Sequence, residues 1–367
     1  MKRLLCIVGS MDAGGAETFL MKIYRQLDKT KYQMDFAVAV KEGGFYDKEI
    51  LEMGGVIHHI TPKSKGLIQN FTSIIKLVKR NKYRYVMRIS QHSLSALELL
   101  ASWMGGAKIR VFRSSNTNTT SSNRINQLLH KLFMFMPALF SNVKIAPSTE
   151  AALFMFGKHA VNNHKVIILP NGLNLDNFTF DSEIRDKYRK DLNLENKKVI
   201  GHVGRFAAQK NHDFLIDIFS HYHKSNPESV LLLIGEGDLV DQIMQKVQRL
   251  GLSDSVLFLG LRKDVSQLLF AMDAFLFPSY YEGMPNTVIE AQATGLPCLI
   301  SDTITKEADL TGLVSYYSLN NNAALWAKEL EYLISCNDRF DFVAKLKKMK
   351  YDIHTVTKQF EQVVFKE

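Results

Sequence analysis

Two glutamates eight positions apart, Glu282 and Glu290, flank a tight-turn sequence in Tyr281-Glu282-Gly283-Met284-Pro285-Asn286-Thr287-Val288-Ile289-Glu290-Ala291. Gly283 and Pro285 suit a turn, Asn286 suits a helix cap, and Thr287 onward reads as a helix. Backbone amides at such a helix start make an anion site. Glu282 then falls on the loop and Glu290 one to two turns into the helix, so both can approach one ligand. An ionised carboxylate only accepts hydrogen bonds, which suits sugar or ribose hydroxyls lying beside the anion. The bland alternative is a surface turn carrying two solvated glutamates.

A second segment, Gly201-His202-Val203-Gly204-Arg205-Phe206-Ala207-Ala208-Gln209-Lys210-Asn211-His212, reads as a strand running into a glycine turn and then a helix. Arg205 offers a planar donor fork and Lys210 a compact point charge, so the two can neutralise a diphosphate at different oxygens. Preorganised cations aimed at a departing diphosphate lower the barrier to its departure without a metal. Taken alone, an Arg and a Lys at a helix start are commonly solvated charges. The segment gains its meaning beside the Glu282–Glu290 motif.

Both segments must be carried by strands, because ligands of an open parallel sheet bind beyond the carboxyl ends of its strands. Short β-type runs alternate with helical patterns along the whole chain, which predicts parallel sheets with crossover helices. Strands are expected at Leu4–Val8, Met34–Val40, Tyr85–Ile89, Ile109–Phe112, Val143–Ala146 and Val166–Leu169, with helices at Ala16–Leu27, Leu67–Arg80 and Leu94–Trp103. A second series runs through Val199–Val203, Val230–Ile234, Val256–Leu259, Ala274–Phe277 and Pro297–Ile300. Between the series, Leu169-Pro170-Asn171-Gly172-Leu173-Asn174 breaks regular structure and makes a natural hinge. The polar stretch Ser114–Asn126 reads as a loop. The expected domains are 1–174 and 175–367, with the last helix packing back on the first.

At 367 residues, 46% of them hydrophobic, the chain is too long for one core and too apolar for disorder. Its three cysteines, Cys6, Cys298 and Cys336, lie far apart, which excludes a zinc ribbon or a disulfide framework and suits a reducing cytoplasm. The opening apolar run Leu4–Val8 stops at Gly9-Ser10 and reads as a strand, not a secretory signal. No apolar stretch approaches the roughly 20 residues that span a bilayer. The formal charge of +9 is uneven: residues 1–175 hold 24 Lys and Arg against 10 Asp and Glu, and the remainder 22 against 27. A basic first half fits either a nucleic-acid surface or an anionic bilayer surface carrying a phosphorylated lipid substrate. The mixed aromatic and basic stretches Asn126–Met136 and Leu67–Arg84 read first as core helices, with an anionic membrane surface as the alternative.

With these segments in view, the chain resembles glycosyltransferase family 4, retaining enzymes of GT-B architecture. In that α/β architecture two Rossmann-like domains with parallel sheets face each other across a cleft. Members pair an Arg and a Lys after the first strand of the C-terminal domain with a Glu-x7-Glu motif, and Arg205, Lys210, Glu282 and Glu290 fall on those positions. The resemblance implies that Arg205 and Lys210 bind the donor diphosphate beside Gly204, Glu290 the ribose, and Glu282 the transferred sugar. The backbone around Gly283, Met284, Pro285, Asn286 and Thr287 would assist. Val8 to Glu17 resembles the family's N-terminal loop, where Gly14 and Gly15 allow close approach of the backbone to the substrate and are expected among the donor-binding residues. It lacks the order of a dinucleotide fingerprint. Ile234-Gly235-Glu236-Gly237 and Leu259-Gly260-Leu261-Arg262 resemble the loops that bring Glu236 and Leu261 to the nucleotide.

The N-terminal half departs from the family pattern. Many relatives carry a His-x-His cluster where this chain has Met87-Arg88-Ile89-Ser90-Gln91-His92, which leaves His92 as the candidate to contact donor sugar or acceptor. Relatives often show His-Ser-His-Asn where this chain has Arg113-Ser114-Ser115-Asn116. The expected activity is retaining transfer of a hexose or N-acetylhexosamine from a nucleotide diphosphate sugar, a UDP-sugar by family frequency, to a saccharide hydroxyl. A lipid-linked acceptor in surface-polysaccharide assembly would fit the basic half, in the cytoplasm or peripherally on the inner membrane face. No metal is expected, since no Asp-x-Asp-like pair stands at a strand end. No nucleic-acid partner is expected. The alternatives are a nucleotide-sugar epimerase or phosphorylase of the same architecture, or a non-catalytic sugar-nucleotide or nucleic-acid binding module.

Overall fold

The computed structural model describes residues 1–12, 14–40, 43–115, 124–335 and 339–366. Cys336 and most of the 114–126 stretch lie outside the described residues. The chain divides into two units, one of Met1–Leu173 with the segment from Lys350 onward, the other of Asn174–Met349. Each unit is built on one parallel sheet.

In the first unit the strands are β1 (Lys2–Ile7), β2 (Tyr32–Val38), β3 (Ile57–His59), β4 (Tyr85–Ser90), β5 (Ile109–Ser114), β6 (Val143–Ala146) and β7 (Ile167–Ile168). Their order is β3-β2-β1-β4-β5-β6-β7. In the second unit β8 (Lys198–Val203), β9 (Ser229–Ile234), β10 (Val256–Phe258), β11 (Ala274–Phe277), β12 (Cys298–Ser301) and β13 (Val314–Tyr317) stand in the order β10-β9-β8-β11-β12-β13. Both orders are those of doubly wound Rossmann-like sheets, in which the winding reverses beside the first strand. The reversal falls between β1 and β4 in the first unit and between β8 and β11 in the second. Connections leaving the two strands at a reversal run to opposite faces, so their loops part and leave a crevice above the sheet.

Strands such as β9, β11 and β12 read as near-continuous apolar runs because both faces of each sheet are covered. Leu4 and Cys6 of β1 pack in one buried cluster with Phe19, Leu20 and Ile23 of the Gly15–Gln26 helix. Leu5 and Ile7 point the other way, into a cluster with Ile74, Val78 and Leu99. In the second unit Ile200, Leu231, Leu233 and Leu276 meet Leu215, Phe219 and Trp326. The Ile353–Val364 helix belongs to the first unit, where Ile353, Val356, Phe360 and Val364 join the core around Phe19.

Two strands were not expected from the sequence. β3 is three residues long at a sheet edge, and its Ile57-His58-His59 carries little apolar signal. β13, Val-Ser-Tyr-Tyr, is a half-buried edge strand. The helix expected over Leu94–Trp103 begins as a 3-10 turn, Ser93–Ala96, and becomes α-helical only over Leu97–Met104. The expected loop at 114–126 ends early, because a helix spans Arg124–Leu132. Cys6 and Cys298 are buried free thiols, both pushed above the usual thiol range by burial. Among the described residues no helix is long and apolar enough to cross a membrane.

Backbone bonds tie the second unit's strand-end loops into one ledge. Gly204 N–H donates to Ile234 O at 2.9 Å, Gly235 N–H to Gly260 O at 2.9 Å, and Phe206 N–H to Glu236 O at 2.9 Å. This approach needs glycine at position 235, where φ is 140° and an added Cβ would stand 2.1 Å from the Gly204 oxygen. Gly235→Ala is therefore expected to lower the stability of this unit by at least about 2 kcal/mol. Urea unfolding followed by Trp326 fluorescence in a Trp103→Phe background reads this unit alone, and an unchanged midpoint would show that the ledge tolerates a side chain.

Candidate active site

At the reversal between β8 and β11, hydrogen bonds pull the loop after β8 onto the loop after β11. Gln209 accepts from Tyr280 N–H with its carbonyl at 2.9 Å and donates from Nε2 to Tyr281 O at 2.8 Å. Asn211, in the left-handed conformation at φ 55°, donates from Nδ2 to Pro278 O at 3.1 Å. These bonds set Lys210 at the end of the short turn Ala208–Lys210, with Nζ 2.7 Å from Glu282 Oε1 and 4.5 Å from the centre of the Phe277 ring. The Lys210 and Glu282 side chains are only 17% and 11% exposed, so each charge depends on the other for much of its solvation. Arg205 is different. Its guanidinium is 73% exposed, with Asp238, itself 92% exposed, at 3.9 Å, a contact too loose and too wet to hold structure.

The Glu-containing segment forms the second wall. The helix spans Asn286–Ala293, with Pro285 at the capping position and no side-chain cap. Asn286 is thus the first helical residue, not the cap that its residue type suggested. The first bonds inside the helix run from Val288 N–H and Ile289 N–H to Pro285 O, at 3.1 and 3.2 Å, so the Asn286 and Thr287 amides head the helix at its positive end. Asn286, Thr287 and Glu290 are half-buried and share one helix face, while Val288, Ile289, Ala291 and Gln292 turn inward. Gly283, Met284 and Pro285 are buried in the preceding turn. Gln292 clamps the helix from behind, accepting from Leu310 N–H at 2.9 Å and the Thr311 hydroxyl at 3.0 Å and donating to Ala308 O at 2.8 Å.

Beneath Lys210 lies an aromatic floor. His202 stacks on Phe277 with ring centres 5.3 Å apart, His212 stacks on Phe206 at 4.1 Å, and the two imidazoles meet edge to face at 4.7 Å. His202 Nδ1–H donates to Leu276 O at 2.9 Å. Among the described residues, His202 Nε2 and both His212 nitrogens have no hydrogen-bond partner. Burial, reinforced by neighbouring cations, pushes both imidazoles below the usual range, His212 to about 4. The floor is therefore neutral and leaves Lys210 as its nearest positive charge.

Of the other residues singled out, Gly204 lies on the ledge and Glu236 is exposed beside it, its carbonyl taking the Phe206 N–H. Leu261 is 54% exposed, one residue beyond Gly260, whose φ is 62°. His92, Gly14 and Gly15 belong to the first unit, at its own reversal between β1 and β4. Gly14 caps the Gly15–Gln26 helix through its backbone, and a Cβ added at Gly15 would meet nothing within 4 Å. His92 caps a turn: Nδ1 accepts from Leu94 N–H at 3.2 Å and Nε2 lies 3.0 Å from Asn126 O.

Neighbouring polar groups are likewise committed internally. Arg88 contacts Glu98 at 2.5 Å, and Lys63 reaches the other Glu98 oxygen at 2.9 Å. The Arg113 guanidinium, 3.7 Å above the Phe19 ring, donates to Asn171, and burial pushes its pKa down to about 9. Sequence reasoning missed His202, Gln209, Asn211, His212 and Gln292. Only His202 and His212, in a polar run beside the charged pair, carried any local signal. Among the described residues no three His, Cys, Asp or Glu side chains are grouped to hold a metal ion.

Two Rossmann-like units, the second with a cation, a carboxylate and a helix start gathered at its topological switch point, define an α/β enzyme of the nucleotide-binding type. Residues 184–351 match the family described as glycosyl transferases group 1. EpsF of Bacillus subtilis, named as a glycosyltransferase, is 32% identical over 335 residues, covering 90% of this chain and 87% of that protein. The Escherichia coli UDP-Gal:alpha-D-GlcNAc-diphosphoundecaprenol alpha-1,3-galactosyltransferase is 28% identical over 291 residues, covering 78% and 71%. The Anabaena protein HepE, solved in complex with UDP and glucose, superposes over the full length of both chains with a TM-score of 0.79 at 19% identity. The chain belongs to the group 1 glycosyl transferases and has the GT-B fold; it is a glycosyltransferase.

The buried histidines give this unit a pH dependence whose sign follows from their shift. A folded-state pKa near 4 for His212 lies below the unfolded value of about 6.5, so on acidification the unfolded chain takes up the proton first. Stability is complete above about pH 6.5 and falls as the pH drops toward 4, by about 3 kcal/mol for this one group. His212→Phe keeps a flat ring on Phe206 and is expected to remove that part of the fall, measured by urea unfolding at pH 7 and pH 4.5. An equal fall in parent and variant would show that His212 is not the titrating group.

Proposed function

We propose that this enzyme transfers a hexose or N-acetylhexosamine from a UDP-sugar to a hydroxyl of a lipid-linked saccharide, with retention at the anomeric carbon, during surface-polysaccharide assembly. The observation that carries the reading is the Lys210 ammonium, held 2.7 Å from Glu282 beside the amino end of the Asn286–Ala293 helix. A diphosphate entering there meets a cation already in position and amides already aligned, so little reorganisation is left for the moment when negative charge develops.

In this reading Arg205 and Lys210 take the diphosphate, with Gly204 and the backbone from Gly283 to Thr287 around it. Glu290 takes the ribose hydroxyls, Glu282 a sugar hydroxyl, and Glu236 and Leu261 border the nucleotide. The bond from the anomeric carbon to the phosphate oxygen breaks, the acceptor oxygen bonds to that carbon on the same face, and the leaving phosphate takes the acceptor proton. The scheme uses no metal. Gly14 and Gly15, the latter with open space where a Cβ would be, admit substrate to the first unit. His92 reaches the sugar or acceptor only by releasing the Asn126 carbonyl, a cost its role must include. The acceptor assignment is supported by the E. coli relative, whose name specifies a sugar on diphosphoundecaprenol, and the donor assignment by the UDP and glucose in HepE. The first unit then serves the acceptor and the second the donor. We assign the enzyme to the cytoplasm, in peripheral contact with an anionic membrane through its basic first half.

Lys210→Ala is expected to lower kcat/KM by about two to three orders of magnitude. Arg205→Ala, at a side chain that holds no structure, is expected to lower it at least about tenfold with thermal unfolding unchanged. The measurement is UDP release with a panel of UDP-sugars and a diphospholipid-linked acceptor, with the anomeric configuration of the product read by NMR. Parent rates in both variants, or an inverted product, would end the reading.

A further inference from the structure

The helices Arg124–Leu132 and Phe135–Phe140 follow one another almost without a break. Helix-like bonds carry the backbone across the join, from Phe133 N–H to Leu129 O at 3.1 Å and from Met136 N–H to Phe133 O at 3.0 Å. Along this path Ile125, Leu128, Leu132, Phe135 and Leu139 are 64%, 66%, 62%, 56% and 62% exposed, values expected of charged surface residues and not of large apolar ones. Their spacing of three, four, three and four positions puts them in one row. His130 and Pro137, between them in sequence, are buried, so the opposite side of the path faces the protein. Trp103 and Met104, 59% and 57% exposed, end a helix that packs against Phe135–Phe140. The apolar residues form a surface row, not the core helix that the sequence suggested.

The stretch of sequence that carries this row has charge of nearly one sign. Between residues 53 and 149 there are 14 Lys and Arg and a single acid, Glu98. Glu98 is buried and engaged by Arg88 and Lys63, so this stretch shows solvent no free carboxylate. Lys131 lies within the row and is exposed.

We infer that this row is the segment that docks the enzyme on an anionic phospholipid bilayer. The five apolar side chains enter the boundary between headgroups and acyl chains, and Lys131 and its basic neighbours stay at headgroup level. The inference takes up the membrane contact of the proposed function and supplies the residues that make it. A nucleic acid would match the charge but leave five apolar side chains without a partner. A second copy would cover the apolar row but set two strongly basic surfaces against each other.

The full-length chain is to be sedimented with vesicles of phosphatidylglycerol and phosphatidylcholine, and with vesicles of phosphatidylcholine alone. Binding is expected to the anionic vesicles, and the double variant Leu128→Glu, Leu132→Glu is expected to weaken it at least about tenfold. Both positions are more than 60% exposed, so its thermal unfolding should match the parent's. Leu128→Ala, which adds no charge, should weaken binding less. Transfer to a detergent-solubilised acceptor should be unchanged in both variants, which separates this inference from the reading of the donor site. Equal binding by parent and double variant would overturn the inference while leaving a broader membrane contact standing. A parent that binds no anionic vesicle removes both. A parent dimer that the double variant dissociates, seen by sedimentation velocity, would assign the row to a second copy and overturn the inference equally.

Discussion

The Lys210–Glu282 contact joins residues 72 positions apart, and it exists because β8 and β11 are neighbours at the point where the sheet's winding reverses. An ammonium and a carboxylate that have both lost most of their water are stable only together, so the pair constrains everything that delivers its two members. The Gln209 and Asn211 bonds to the loop after β11, the glycine ledge and the Gln292 clamp each remove a freedom by which the two loops could drift apart. A parallel sheet supplies this arrangement at low cost, because its strand ends already point the same way and its reversal already opens a gap above them.

The same constraint explains what could be read from residue order. The strands at the reversals are mostly buried, β11 wholly so, and β1, β8 and β11 run into a glycine or proline within two residues, so β1, β4, β8 and β11 stood out as short apolar runs close to their observed places. Edge strands such as β3 and β13 are wetted on one side and short, and their residues carry no comparable signature. In the candidate site, Lys210 and Glu282 stood out as charges in turns that follow a strand, and Glu290 by its spacing from Glu282. The residues that hold them were not. Gln209 and Gln292 act through backbone groups on distant segments, and nothing local distinguishes them from surface glutamines. The capping position was off by one, because the helix begins after Pro285 through backbone geometry, without the side-chain bond that an Asn there implies.

The two units use their polar side chains differently. In the second, an exposed Arg205 and a half-buried ion pair stand at the reversal beside the head of a helix. In the first, Arg88, Arg113 and His92 are turned to internal partners, Arg113 so thoroughly that its guanidinium lies buried against the Phe19 ring and the Asn171 amide. That side chain fastens the Pro170-Asn171-Gly172 turn to the end of β5, so the position where the sequence departs from its relatives now works as a brace.

The Ile353–Val364 helix has a consequence for how the protein is made. Ile353, Val356, Phe360, Val364 and Phe365 are at most 3% exposed, and all five fill the core of the unit that begins at Met1. During translation that core stays incomplete until residue 365 has cleared the ribosome, whereas the unit spanning Asn174–Met349 has all of its residues earlier. The half synthesised first is thus the half completed last, and its open apolar face must be sheltered throughout the synthesis of the other.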